Sequence, residues 1–277
     1  MTKVSTVVTE HNVYQEGQDE IVSILDEMVE ALILPGSGVD GMENLEELFT
    51  LAESGKSCLL LLEHYSNLDL SLFHYLVSRA GGRGAAIANA LIAIAGIKLN
   101  EDSAVAAFAS AYTRIVICPS RSLLVLDAVK DRAEIIRLNS INRSALKILN
   151  EVKLKGKLIL VFPSGTRYRA WDPSTKKGVR EIDSYIRIFD AMCCVAINGE
   201  ILHVQQTDMM NDSVSGDIVR VTAGPVHLCA EFRDAARAAA EAKGIEDKKQ
   251  AAVDAIMAEL EALHIAAEEK RKLLLLH

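Results

Sequence analysis

The stretch Cys58 to Asp69, CLLLLEHYSNLD, sets the frame for the whole chain. Cys58 to Leu62 are five consecutive apolar residues, the length of a buried strand, with Gly55-Lys56-Ser57 before them and polar residues after. His64 follows at once. Asp69 comes five residues later, just ahead of Leu70, Leu72, Phe73, Leu76 and Val77 at helical spacing. Side chains five apart sit roughly 140° apart on a helix and on opposite faces of a strand, so these two converge only if the chain turns between them. Ser66 and Asn67 are residues that start helices. The predicted local structure is therefore strand, tight turn, helix, with Asp69 in the first helical turn, where the helix dipole favours a carboxylate. A carboxylate that fixes an imidazole's tautomer turns it into a general base.

Outward from this stretch, further short apolar runs alternate with helical patterns. Ile115 to Cys118, Leu158 to Phe162 and Cys193 to Ile197 read as buried strands, and Ile201 to Val204 and Ile218 to Val221 as two more candidates. Helices are expected from Asp19 to the Pro35-Gly36 stop, across Leu45 to Ala52, from Asp69 to about Arg79, and from Leu126 to Glu151 with a break near Asn139-Ser140. Another is expected over Ile182 to Phe189, and from Ala230 one or two solvated helices break near Gly244. The first fifteen residues show no periodicity and read as a frayed arm. Ala85 to Ala111 is ambiguous between strand and helix.

This alternation predicts an α/β fold: a central mixed, largely parallel sheet flanked by helices, with a small helical N-terminal portion. The expected division is residues 1–54 for that portion and 55–277 for the α/β domain with its C-terminal helices. In such sheets ligands gather at the carboxyl ends of the strands. His64, Arg121, Arg167 and Arg169 all stand directly after apolar runs. If those strands are neighbours, one base and three guanidiniums share an edge. Arg167 and Arg169 are two apart and point to one side of an extended segment. Guanidinium suits phosphate because its fork matches two oxygens and stays charged.

Composition narrows the classes. Half of the 277 residues are hydrophobic and a quarter charged, enough for a sizeable core and against extended disorder. A formal charge of −8 with no basic block gives no reason to expect nucleic acid. The longest apolar stretch, Ala85 to Ile97, is too short for a membrane span. The five cysteines lie mostly in apolar runs without a C-x-x-C pair, and adjacent Cys193-Cys194 read as packing residues. No signal-peptide pattern follows Met1, so a cytoplasmic or organelle-stroma location, soluble or peripheral on a membrane, is expected. The other histidines, His11, His74, His203, His227, His264 and His277, show no ligand spacing and read as surface or packing residues, so no metal and no cofactor are expected. Gly81-Gly82-Arg83-Gly84 lacks the full phosphate-loop fingerprint and reads as a turn. Ser164 lacks the G-x-S-x-G frame of a nucleophile elbow, because Phe162 stands where the first glycine belongs.

Taken together, these residues resemble the glycerolipid acyltransferase superfamily. His64-Tyr65-Ser66-Asn67-Leu68-Asp69 matches its H-x4-D motif, and Phe162-Pro163-Ser164-Gly165-Thr166-Arg167 looks like its F-P-E-G-T-R block with Ser164 for Glu. Pro163 to Ser174, PSGTRYRAWDPS, is closer to the soluble, chloroplast-type glycerol-3-phosphate 1-acyltransferases, which carry P-S-G-G-R-D-R and then D-P-S/T. Ile117 to Lys147 also looks like that branch, with Arg121 where it has a phosphate-binding Lys. Ser122 stands where a second phosphate-contacting His belongs, and Thr166 replaces a Gly. The resemblance covers roughly Ser57 to Gly224. It implies transfer of an acyl chain from an acyl carrier protein or coenzyme A thioester to the sn-1 hydroxyl of glycerol 3-phosphate. His64 and Asp69 would be catalytic, Arg121, Arg167 and Arg169 would hold phosphate, and Ser164, Gly165 and Thr166 would form the thioester loop. Lysophosphatidate as acceptor, a hydrolase, and a non-catalytic binder of anionic lipid or phosphate are the alternatives. The Lys130, Arg132, Arg137, Arg143 and Lys147 region is the candidate dock for an acidic carrier protein, and the Leu273 to Leu276 run for peripheral membrane contact.

Overall fold

A computed structural model of the protein describes residues 7–100, 103–206 and 212–276. In chain order the elements begin with β1 (Tyr14–Gln15), α1 (Asp19–Leu32), β2 (Gly38–Asp40), α2 (Met42–Glu53), β3 (Cys58–Leu62) and α3 (Asp69–Arg79). Then come α4 (Gly84–Asn89), β4 (Leu91–Gly96), α5 (Ser103–Ala109), β5 (Arg114–Ile117), α6 (Ser120–Leu124), α7 (Arg132–Val152) and β6 (Leu158–Val161). The last are α8 (Ile182–Ile188), β7 (Ala191–Asn198), β8 (Leu202–His203), β9 (Ser213–Val214), β10 (Arg220–Leu228), α9 (Cys229–Ala242) and α10 (Lys248–Leu274).

Eight strands form one sheet in the order β1-β5-β4-β6-β3-β7-β10-β2, and β8 and β9 make a separate ribbon. The five middle strands from β5 to β7 are parallel. β10 runs antiparallel to β7, β1 antiparallel to β5, and β2 parallel to β10. The fold is α/β, a mixed and mostly parallel sheet flanked by helices. β3 lies at its centre because both of its faces are apolar: Cys58, Leu60 and Leu62 enter the core under α2 and α3, while Leu59 and Leu61 enter the one under α7, α8 and α10. All five are fully buried. Replacing Leu60 by Ala would cost about 2–5 kcal/mol through lost burial and the cavity left behind.

Several elements depart from the sequence expectation. The ambiguous Ala85 to Ala111 segment resolves into α4, β4 and α5, and β4 lies between β5 and β6, so the strands carrying Arg121 and Arg167 are not neighbours. Residues 7–15 are not frayed: Val8 and Val13 are buried, and β1 pairs with β5. Residues 1–6 of that arm lie outside the described residues. A two-residue strand is too short to show alternation, and the same holds for β2, which follows the Pro35-Gly36 stop as an edge strand. Residues 1–54 thus supply α1 and α2 together with both edge strands of the sheet.

α7 is unbroken across Asn139-Ser140, held down by buried Leu138, Ile141, Ala145 and Leu149. α10 is not merely solvated, since Ala252, Val253, Ile256 and Leu260 pack on the sheet. The candidate strand at Ile201 to Val204 shrinks to β8, and the one at Ile218 to Val221 extends to Leu228. All five cysteines are free and buried. Burial pushes the Cys58 and Cys229 thiols up to about 12, so they behave as packing groups. Among the described residues no helix is long and apolar enough to cross a membrane.

Candidate functional site

The turn between β3 and α3 is built around one carboxylate. Asp69 is 2% exposed, and its Oδ2 accepts from the backbone N–H of Tyr65 (2.5 Å) and Ser66 (2.9 Å) and pairs with His64 Nδ1 at 2.9 Å. Its Oδ1 accepts from Ser66 Oγ at 2.9 Å, and Ser66 Oγ in turn accepts from Leu68 N at 3.1 Å. The helix therefore starts at Asp69 rather than at Ser66 or Asn67. Their contribution is the turn that brings the chain back. Because a carboxylate only accepts, the proton of the pair sits on Nδ1 and leaves the Nε2 lone pair available.

The loop after β6 completes the imidazole's seat. Phe162 stacks on the His64 ring at 4.0 Å between centroids and 22° between planes. Tyr168 N–H donates to the His64 carbonyl at 2.7 Å. Gly165 makes the loop's reversal at φ +61°, a left-handed conformation that favours glycine. Its N–H donates to the Phe162 carbonyl at 2.9 Å. Ser164 Oγ donates to the Thr166 carbonyl at 2.6 Å, so its hydroxyl proton is held by backbone rather than by the imidazole.

His64, Arg121, Gly165, Thr166, Arg167 and Arg169 all line one cavity of about 830 Å³ at the carboxyl ends of the parallel strands. Ser164 lines a separate small cavity behind the loop, with Glu63, Tyr65 and Lys176. Arg121 reaches the cleft across β4: it lies in α6, and its Nη2 donates to the Gly165 carbonyl at 2.5 Å. Arg167 is mostly buried, with its side chain 12% exposed and Nη1 3.7 Å from Asp212 Oδ2. That Nη1 has no hydrogen-bond acceptor. Burial lowers the Arg167 pKa, with Asp212 raising it and Arg169 lowering it, and the guanidinium remains a cation. A desolvated N–H without an acceptor beside a cleft is a place prepared for an anion.

The far walls of the cleft are apolar, with Ala93, Ile94, Leu99, Phe108 and Tyr112 among them. Lys98 and Arg114 also face it. Neither stood out in the sequence, because both fall in or beside the segment whose elements could not be assigned.

A second histidine pair stands behind the first. Glu63 is buried, and its Oε2 pairs with His264 Nδ1 at 2.9 Å and accepts from Ile197 N–H at 3.0 Å. The Tyr65 hydroxyl donates to Glu63 Oε1 at 3.1 Å. Burial lowers the His264 pKa, while the hydrogen bond to Glu63 and its charge raise it, and the balance lies above the ordinary histidine value. His227 is likewise paired, 2.9 Å from Glu259. Sequence spacing, which read both as surface or packing residues, did not show these carboxylate partners, because they lie 201 and 32 residues away. His277 lies outside the described residues. Among the described residues no three His, Cys, Asp or Glu side chains are arranged to hold a metal ion. No protein-family model matches the chain, and no curated protein is similar enough to it to count as a relative.

Proposed function

We propose that the protein transfers a fatty acyl chain from a thioester of acyl carrier protein or coenzyme A to the sn-1 hydroxyl of glycerol 3-phosphate. The observation that carries this reading is the cleft shared by an Asp69-held imidazole and three arginines. His64 Nε2 takes the proton of the acceptor hydroxyl. The oxygen attacks the thioester carbonyl, the tetrahedral adduct collapses, and the C–S bond breaks. The leaving thiolate receives the proton from the imidazolium, so the base returns to its starting state. Arg167 and Arg169, with Arg121 at the rim, hold the phosphate and set the hydroxyl against the imidazole. Positioning of this kind can supply about 7–11 kcal/mol of barrier reduction at best. The apolar far wall suits an acyl chain.

The reading makes the chain a member of the glycerolipid acyltransferases, consistent with its H-x4-D and P-S-G-T-R segments. Acyl-transfer assays pairing each donor with glycerol 3-phosphate and with lysophosphatidate test it. The expected product is 1-acylglycerol 3-phosphate, with free thiol released only when acceptor is present. Thiol and free fatty acid released without acceptor would make it a hydrolase. Saturable phosphate binding with no thioester consumed would make it a binder. Transfer to lysophosphatidate alone would move the step to the second acyl chain.

A further inference from the structure

The cavity holds a further cation, deeper than the three arginines, that acyl transfer leaves unused. Arg114 is the first residue of β5, at the opposite end of that strand from Arg121 and the cleft mouth. It lines the cavity and is 3% exposed. Its Nη1 donates to the carbonyl of Ala109, the last residue of α5. Among the described residues its Nε and Nη2 have no acceptor, and its charge has no carboxylate partner. The end of a helix carries only a partial charge and does not offset a whole one. Burial lowers the Arg114 pKa with no opposing charge to raise it, and the guanidinium stays a cation. A desolvated cation without a counter-charge is costly to keep unless a ligand answers it.

The surroundings narrow the ligand. Across the sheet Arg114 aligns with Ala93 in β4, Leu160 in β6 and Leu60 in β3, and His64 stands four residues beyond Leu60. The backbones of Arg114 and His64 are therefore separated by about 13 Å along the strands and about 14 Å across them. The cavity wall on the α3 and α5 side is apolar, with Leu70, Ala93 and Phe108 in it. Glu181 is the only carboxylate among the described residues that line the cavity, and it precedes α8, which covers the other face of the sheet. Tyr112 adds a second unanswered donor to the wall. Burial pushes its pKa up to about 12, so the hydroxyl keeps its proton, and it lies beside Ser71 without a hydrogen-bond partner. A long apolar slot closed by an unpaired guanidinium matches one chemistry, an alkyl chain that ends in a carboxylate. An uncharged chain leaves the cation unanswered, and a small inorganic anion leaves the apolar wall in water.

We propose that Arg114 closes a binding site for the carboxylate of such a chain, whose apolar body lies along Leu70, Ala93 and Phe108 toward His64. The site does not depend on the acyl-transfer reading. The carboxylate has two sources: a free fatty acid, or the far end of a dicarboxylic acyl group on a donor thioester.

Isothermal titration calorimetry of the full chain with decanoate and with 1-decanol, without thioester or glycerol 3-phosphate, tests the site apart from any turnover. Decanoate is expected to bind saturably and at least about tenfold tighter than 1-decanol, the margin of a charge-assisted hydrogen bond. Arg114→Met should remove that margin and leave 1-decanol binding within about twofold, while Arg114→Lys keeps part of it. Because methionine removes a buried charge that has no counter-charge, the ligand-free variant should unfold at or above the wild-type denaturant midpoint. A lower midpoint with unchanged decanoate affinity would confine Arg114 to capping α5 and overturn the proposal. Equal binding of decanoate and 1-decanol by the wild type, which needs no variant, overturns it as well. So does undiminished decanoate affinity in Arg114→Met, which would seat the carboxylate on Arg167 and Arg169. Thioesters of decanoate and decanedioate then separate the sources. Preference for the decanedioyl thioester, lost in Arg114→Met, assigns the site to the substrate, and inhibition by decanoate in competition with the donor assigns it to a free fatty acid.

Discussion

Glu63 and His64 are adjacent, and each forms one half of an imidazole–carboxylate pair at 2.9 Å. The two pairs differ in what surrounds them. His64 meets Asp69 through Nδ1 and lines a cleft that also holds three arginines, so its second nitrogen is available to a substrate. Glu63 and His264 are instead tied into the fold, away from the arginines: the carboxylate also accepts from Ile197 N–H and the Tyr65 hydroxyl, and Asn198 Nδ2 donates to the His264 carbonyl at 3.0 Å. The first pair is equipped to move a proton to and from a ligand. The second ties α10 to the strand ends. Pairing alone does not make a histidine a base; the cleft it faces and the charges gathered there do.

Mutation should separate the two. Asp69→Asn keeps the shape but removes the fixed acceptor that selects the tautomer, and kcat is expected to fall by about 10²–10⁴-fold. Glu63→Gln should leave kcat within about tenfold; an equal loss in both variants would erase the distinction. Next in size, Arg167→Gln removes a mostly buried cation from the cleft. KM for glycerol 3-phosphate should rise by about 10–100-fold, as for a lost charge-assisted hydrogen bond, with a smaller change in kcat. An unchanged KM would take Arg167 out of the phosphate site.

His264→Ala leaves Glu63 buried and short of a partner, and should lower stability by about 1–3 kcal/mol, read as the midpoint of denaturant unfolding. The pH dependence gives the smallest effect. Because the folded pKa of His264 is raised, its contribution is fully present below the ordinary value of 6.5 and fades as pH rises through the folded value. The stability difference between wild type and His264→Gln should therefore shrink from acid toward alkaline pH. A difference that grew with pH would mean that His264 is held neutral.

The sequence made the first pair legible and hid the second. Five apolar residues, a polar turn and a helical apolar pattern place His64 and Asp69 on a strand end and a helix start within one short window. Asp69 to Arg79 forms the expected helix because nothing distant competes with that pattern. Arg121, Arg167 and Arg169 were readable because each stands just past an apolar run, and parallel strands deliver the residues at their carboxyl ends to one edge. The intervening β4 was not readable. An alanine-rich run such as Leu91 to Gly96 carries neither period, and its identity is set by the strands on both sides of it. Glu63 and His264 were hidden because 201 residues separate them, and only the docking of α10 brings them together. Ser164 and Gly165 show the remaining limit: neighbours in one loop face different cavities because the backbone reverses at Gly165.

The most direct measurement is a side-by-side determination of acyl-transfer turnover and glycerol 3-phosphate affinity in wild type and His64→Ala. Transfer is expected to drop below detection while the dissociation constant, set by the arginines, stays within about twofold. Undiminished turnover in His64→Ala would contradict the role given to this imidazole.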